Sequence, residues 1–150
     1  MAAIISPGRI TGTVTAPASK SMMQRVCAAA LLHGGTTTII NPGISDDDNA
    51  ALHIIETLGA KVTHDADRIV VKGADISSAQ GNVHCGESGL SARLFIPIAA
   101  LSPNEITLTG SGTLSGRAMN TIGELLPELG VTVSYTHGKL PLTLQGPLQP

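Results

Sequence analysis

Lys20, Ser21 and Arg25 stand at what reads as the start of a helix, in Pro17-Ala18-Ser19-Lys20-Ser21-Met22-Met23-Gln24-Arg25. Their types suit the capture of an anion. Free backbone N–H groups and the positive end of the helix dipole favour phosphate or carboxylate there. Lys20 adds a mobile charge, Ser21 a short donor and Arg25 a planar fork able to hold two oxygens. Ser21 and Arg25, four residues apart, share a helix face. The plainer alternative is an ordinary Ser19 N-cap followed by solvated charges.

The rest of the chain favours the anion site. A Gly-rich turn, Gly86-Glu87-Ser88-Gly89, leads into a second helix carrying Arg93. The loop Gly110–Gly116 feeds a further helix start with Arg117. Four of the nine basic residues thus fall at helix starts, which a random surface scatter would not produce.

These positions need elements to carry them. Met23, Val26, Cys27, Ala30 and Leu31 follow helical spacing up to Gly34-Gly35. The β-branched run Thr36–Ile40 predicts a strand, and Ser45-Asp46-Asp47-Asp48 opens a second helix that stops at Gly59. Strands are expected near Lys61–His64 and Arg68–Lys72, joined at Ala66-Asp67. With a first strand around Gly12-Thr13-Val14, the order is β-α-β-α-β-β. The same order is expected again from Gly81: strand Asn82–Cys85, helix Leu90–Leu101, strand Glu105–Thr109, helix Met119–Leu129, strands Val131–Tyr135 and Leu140–Gln145. Gly59-Ala60-Lys61-Val62 matches Gly130-Val131-Thr132-Val133, and Gly73 matches Gly146. The chain therefore reads as a tandem repeat, about 12–75 and about 81–148. Pro97 and Pro127 fall inside predicted helices, where kinks or early ends are expected. The acids Asp46–Asp48 read as helix-capping residues in preference to catalytic ones.

Composition excludes several classes. Of 150 residues 42% are hydrophobic but only 1% aromatic, so the core must be layered from Ala, Val, Ile and Leu. A net charge of −2 and the dearth of stacking rings argue against nucleic acid. No window reaches membrane-spanning length, and no basic-then-apolar leader opens the chain, so a soluble, cytoplasmic protein is expected. Cys27 and Cys85 form no disulfide framework, Cys27 reading as a core residue; the five histidines lack ligand spacing, so no metal site and no cofactor is expected.

Ser19-Lys20-Ser21 with Arg25, then Asp46-Asp47-Asp48, Gly86-Glu87-Ser88-Gly89 with Arg93, and Gly116-Arg117 together resemble the amino-terminal part of the 3-phosphoshikimate 1-carboxyvinyltransferase family, whose members are 5-enolpyruvylshikimate-3-phosphate synthases and glyphosate targets. The resemblance implies an α+β fold, two tandem β-α-β-α-β-β units of the inside-out barrel-like enolpyruvyl transferase domain. It implies transfer of the enolpyruvyl group of phosphoenolpyruvate to the 5-hydroxyl of shikimate 3-phosphate, with release of phosphate, in aromatic amino acid biosynthesis. Carried over by motif, Lys20 would contact both ligands and serve catalysis. Ser21 and Arg25 would hold shikimate 3-phosphate, and Gly89 and Arg117 would hold phosphoenolpyruvate, with Arg93 and Glu87 nearby. Glu87 and Leu90 depart from the Asn and Thr common in the family's Gly-rich turn, and Leu94 from its proline; a carboxylate at Glu87 needs Arg93 as its partner. The resemblance further implies that residues 4–10 belong to an opposite domain and hang loose. A third repeat and the rest of that domain, with the acid/base residues, are expected outside this chain. The fragment is expected to be inactive alone and prone to self-association, whereas a full-length member is expected to be a monomer. Competing readings are a nucleotide-sugar enolpyruvyl transferase, disfavoured by Ser21 with Arg25, and a non-catalytic phosphate-binding module.

Overall fold

The computed structural model describes residues 3, 4 and 6–149. Helix α1 runs Lys20–Leu32, strand β1 Thr36–Ile40, α2 Asp46–Thr57, β2 Lys61–Asp65 and β3 Arg68–Lys72. Then follow β4 Gly81–His84, α3 Gly89–Ala99, β5 Glu105–Thr109, α4 Asn120–Glu128, β6 Thr132–Thr136 and β7 Lys139–Gln145. Short 3-10 turns occupy Ile76–Ser78 and Gly112–Gly116. The fold is α+β.

Each sheet is built on a hairpin. In the first, β3 lies between β1 and β2 and is antiparallel to both. The hairpin turns at Ala66, whose φ of 49° is left-handed. In the second, β7 likewise lies between β5 and β6, and β4 adds a parallel strand on the outer side of β5.

The expected strand at Gly12-Thr13-Val14 is absent: the backbone there is irregular, Val14 is 92% exposed, and β1 is a sheet edge among the described residues. A strand exists only as part of a ladder. Val83 shows the contrast, since it is buried where β4 pairs with β5. Of the amino-terminal segment, Ile4 and Ile10 are almost fully exposed, while Ile5 lies outside the described residues.

Helices α1, α2 and α3 meet one another. α1 and α2 pack on the first sheet, α3 and α4 on the second, and α1 and α2 both touch α3. One apolar cluster joins Leu31, Ile54, Ile55, Phe95, Ile96, Leu108 and Leu142. Both prolines are accommodated, since α3 runs through Pro97 to Ala99 and α4 through Pro127 to Glu128. Each sits in the last turn, so few residues remain beyond the hydrogen bond it removes.

The carboxyl ends of α1 and α3 are pinned by the sheets. A Cβ on Gly73 would come within 2.6 Å of the Ala30 carbonyl oxygen and 2.7 Å of that of Leu31, and Ala74 N–H donates to the Leu31 carbonyl at 3.0 Å. A Cβ on Gly146 would overlap the Ala100 carbonyl and lie 2.6 Å from that of Ser102, to which Gly146 N–H donates at 3.0 Å. Only glycine permits so close an approach between backbones.

Candidate functional site

Ser19 caps α1, its extended backbone (ψ 110°) turning the chain while its hydroxyl accepts from Met22 N–H at 3.4 Å. The cap leaves Lys20 and Ser21 in the first turn, both exposed. Arg25 folds back along the helix, donating from Nη1 to the Ser21 carbonyl at 2.9 Å. Lys20 Nζ lies 2.9 Å from Asp47 Oδ2 on α2. That hydrogen bond and the carboxylate's charge hold the Lys20 ammonium above its ordinary value of 10.5. Lys20 also borders a depression formed with Pro17, Ala18 and the loop Asn41–Ser45.

Two of the three acids divide the work. Asp48 closes a capping box: Ser45 Oγ and Ser45 N–H donate to Asp48 Oδ2 at 2.7 and 3.0 Å, and Asp48 N–H donates to Ser45 Oγ at 3.4 Å. Asp48 thus acts as the expected cap, whereas the ion pair of Asp47 with Lys20 was not foreseen from sequence.

A second cluster surrounds Gly89, the first residue of α3. Arg93 Nη1 donates to the Gly89 carbonyl at 3.1 Å, and Arg117 Nη2 donates to Thr113 Oγ1 at 3.3 Å. Both guanidinium groups lie over the glycine: a Cβ there would overlap Arg117 Nη1 and come within 3.0 Å of Arg93 Nη1. Gly89 therefore keeps open a place where two cations and a helix N-terminus converge. Two positive side chains crowd together stably when an anion sits between them.

Glu87 does not form the expected pair with Arg93. Its carboxylate turns to the facing loop, where Oε2 accepts from Thr113 N–H at 3.4 Å and the side chain lies against Gly112. Gly112, at φ +50°, has no Cβ to block it. The charge is thus spent on the loop that presents Arg117.

The two clusters are linked by groups that sequence reading passed over. Gln24 Oε1 accepts from Ser88 Oγ at 3.2 Å and from Ser91 Oγ at 3.3 Å, joining α1 to the Gly-rich turn. A glutamine within the apolar stripe Met23–Cys27 was the available signal. Cys27 and Cys85 are fully buried, and burial pushes both thiols up to about 12, Asp48 adding to the effect at Cys27. No group of three or more metal-ligating side chains occurs among the described residues. Nor is any helix there long and apolar enough to cross a membrane.

Fold and site together define a class: an α+β protein with helices packed on two sheets and basic side chains gathered at two helix starts. The chain belongs to the EPSP synthase (3-phosphoshikimate 1-carboxyvinyltransferase) family, whose family model matches residues 4–149. Curated relatives of that name include one from Clostridium perfringens (strain SM101 / Type A), 32% identical over 97% of this chain and 35% of the relative. Another, from Clostridium kluyveri, is 34% identical over 97% of this chain and 34% of the relative. The chain thus spans about a third of the length of the curated relatives it matches. Among solved structures, EPSP synthase from Acinetobacter baumannii superposes with a TM-score of 0.81 at 24% identity, over 92% of this chain and 32% of that one; the likeness shows the fold.

Proposed function

We propose that this chain supplies one wall of an enolpyruvyl transferase active site, in which the enolpyruvyl group of phosphoenolpyruvate passes to the 5-hydroxyl of shikimate 3-phosphate and phosphate leaves. The observation that carries this is the pair of guanidinium groups held over Gly89, in a chain of the EPSP synthase family. Arg117, Arg93 and the N-terminus of α3 receive phosphoenolpyruvate. Ser21, Arg25 and the N-terminus of α1 receive shikimate 3-phosphate. Lys20 reaches both, exchanging Asp47 for a ligand oxygen. Two multiply charged anions repel each other, and fixed cations with helix dipoles offset that repulsion while aligning the reacting atoms.

Two tandem repeats, about 12–75 and about 81–148, fit this reading, supported by the shared antiparallel orders β1-β3-β2 and β5-β7-β6, although the first copy lacks the opening strand that β4 supplies in the second. Proton transfer to and from the enolpyruvyl group falls to the two thirds of a full-length relative that this chain does not span. The chain therefore binds without turning over.

An NMR titration of the 150-residue chain tests the reading, with shikimate 3-phosphate as ligand and inorganic phosphate and a nucleotide sugar as controls. Selective shifts at Lys20, Ser21 and Arg25 are expected with shikimate 3-phosphate alone. An equal response to plain phosphate would reduce the chain to a general phosphate-binding module, and a preference for the nucleotide sugar would reassign the substrate.

A further inference from the structure

We propose that Gln24 is a positioning residue that fixes the Gly-rich turn relative to α1. It thereby sets where the Gly89 backbone meets its anion. Among the described residues the buried polar side chains are Gln24, Asp48, Ser88, Ser91 and Ser102. Three of these five form one cluster, and it lies between the two helix starts. Gln24, Ser88 and Ser91 are 1%, 2% and 0% exposed, so water does not compete for their bonds.

The cluster is directional. Ser88 Oγ accepts from Ser91 N–H at 3.2 Å, which caps α3, and its proton points to Gln24 Oε1. Ser91 Oγ donates to the same oxygen. A single acceptor on α1 therefore holds both the cap of α3 and a residue in its first turn. Gly89, between them in the chain, carries the carbonyl that Arg93 grips and the face that Arg117 covers. Moving Gln24 moves Gly89.

Packing alone does not explain the residue. Gln24 Nε2 is buried without a hydrogen-bond partner, so an apolar side chain of the same shape would relieve an unsatisfied donor. Methionine is nearly isosteric with glutamine. Gln24→Met therefore separates the roles, removing the acceptor while keeping the volume. The inference of anion positioning rests on the site reading above, but the placement of the turn is measurable without any ligand.

The test uses the 150-residue chain, wild type and Gln24→Met, with Ser91→Ala as a second variant that removes one donor and leaves the Ser88 cap. In the ligand-free proteins, 15N relaxation and amide exchange are compared at residues 86–91 and 20–24. Loosening confined to 86–91 is expected, with a lower melting midpoint in Gln24→Met, because leaving the buried Ser88 and Ser91 hydroxyls without their acceptor outweighs relief of the unpaired Nε2. Phosphoenolpyruvate affinity, followed at the Gly89 amide, is expected to fall about tenfold, as two buried hydrogen bonds are lost. Affinity for shikimate 3-phosphate, followed at Ser21, is expected to stay within about twofold, because that site keeps its own contacts. An unchanged turn in both variants overturns the proposal. So does uniform loosening with both affinities falling together, which is what a merely structural role would give. If the turn loosens selectively while neither ligand binds the wild type, the positioning of the turn stands and the substrate reading fails.

Discussion

Gly89→Ala puts a methyl group where the guanidinium groups of Arg93 and Arg117 now lie, and its two consequences diverge. The backbone tolerates the change, because Gly89 is helical and an alanine in a helix is favoured over glycine by up to about 1 kcal/mol. Displacing two exposed arginine heads costs little, so stability should move by less than about 1 kcal/mol in either direction. Binding should suffer far more. The Cβ would overlap Arg117 Nη1, which must retreat by about 1 Å to ordinary van der Waals distance. At an effective dielectric constant of about 20, withdrawing a unit charge from about 3 to about 4 Å of an anionic oxygen costs about 1.4 kcal/mol. That is about tenfold in Kd for a single anionic charge and approaches a hundredfold for a dianion. Arg93, at 3.0 Å, must also yield by a few tenths of an ångström. The assay pairs a thermal melt with an NMR titration of phosphoenolpyruvate against the 150-residue chain. A cooperative melt with wild-type affinity would refute the idea that these arginines form an anion cradle over Gly89.

Three further perturbations probe the neighbouring groups. Asp47→Asn releases Lys20 from its ion pair and should tighten shikimate 3-phosphate binding about threefold to tenfold, measured by titration at the Ser21 amide. The same variant should return the Lys20 ammonium toward 10.5: in the wild type its contribution to stability is fully present below pH 10.5 and is lost as pH rises through the higher folded value, which 13C detection of the Lys20 side chain can follow. Asp48→Ala breaks the capping box of α2 and should lower stability by about 1 kcal/mol, or about 3 °C in Tm, because losing the cap outweighs relief of the buried, unpartnered Oδ1. Cys27 and Cys85 should resist a thiol-specific reagent at pH 8 and react only on unfolding; their neutral form supports the fold fully below pH 9.0, and that support is lost as pH rises toward about 12.

Much of this was legible in the sequence because the signals are local. The run Thr36–Ile40 is β-branched throughout and is β1 residue for residue, and Ser45 with Asp48 announces both the start and the cap of α2. The glycines and arginines of the second cluster could be singled out by type and spacing. Two things could not. The missing strand at Gly12–Val14 depends on a ladder partner, which no local pattern reports. The redirection of Glu87 to Thr113 and of Asp47 to Lys20 depends on which loops meet across the fold, as does the link through Gln24. Side-chain pairings between residues 26 or 64 positions apart are products of tertiary packing, and only a structure displays them.

The glycines that end β3 and β7 give the two site helices a mechanical property. Each helix is anchored at its far end, where Gly73 and Gly146 press backbone against backbone, whereas its starting end is held across the fold by side chains alone, Lys20 on Asp47 and Gln24 on Ser88 and Ser91. Such a helix behaves as a lever on a fixed fulcrum. α1, with 13 residues, is about 20 Å long, so a tilt of about 3° about Gly73 carries Lys20 through about 1 Å. Small rotations, too slight to disturb the core, are thus geared up into displacements large enough to make or break a hydrogen bond at the tips. Bulk added at the fulcrum, by Gly73→Ala or Gly146→Ala, would be felt about 20 Å away at the start of α1 or about 16 Å away at the start of α3, as a shift in the geometry of the site.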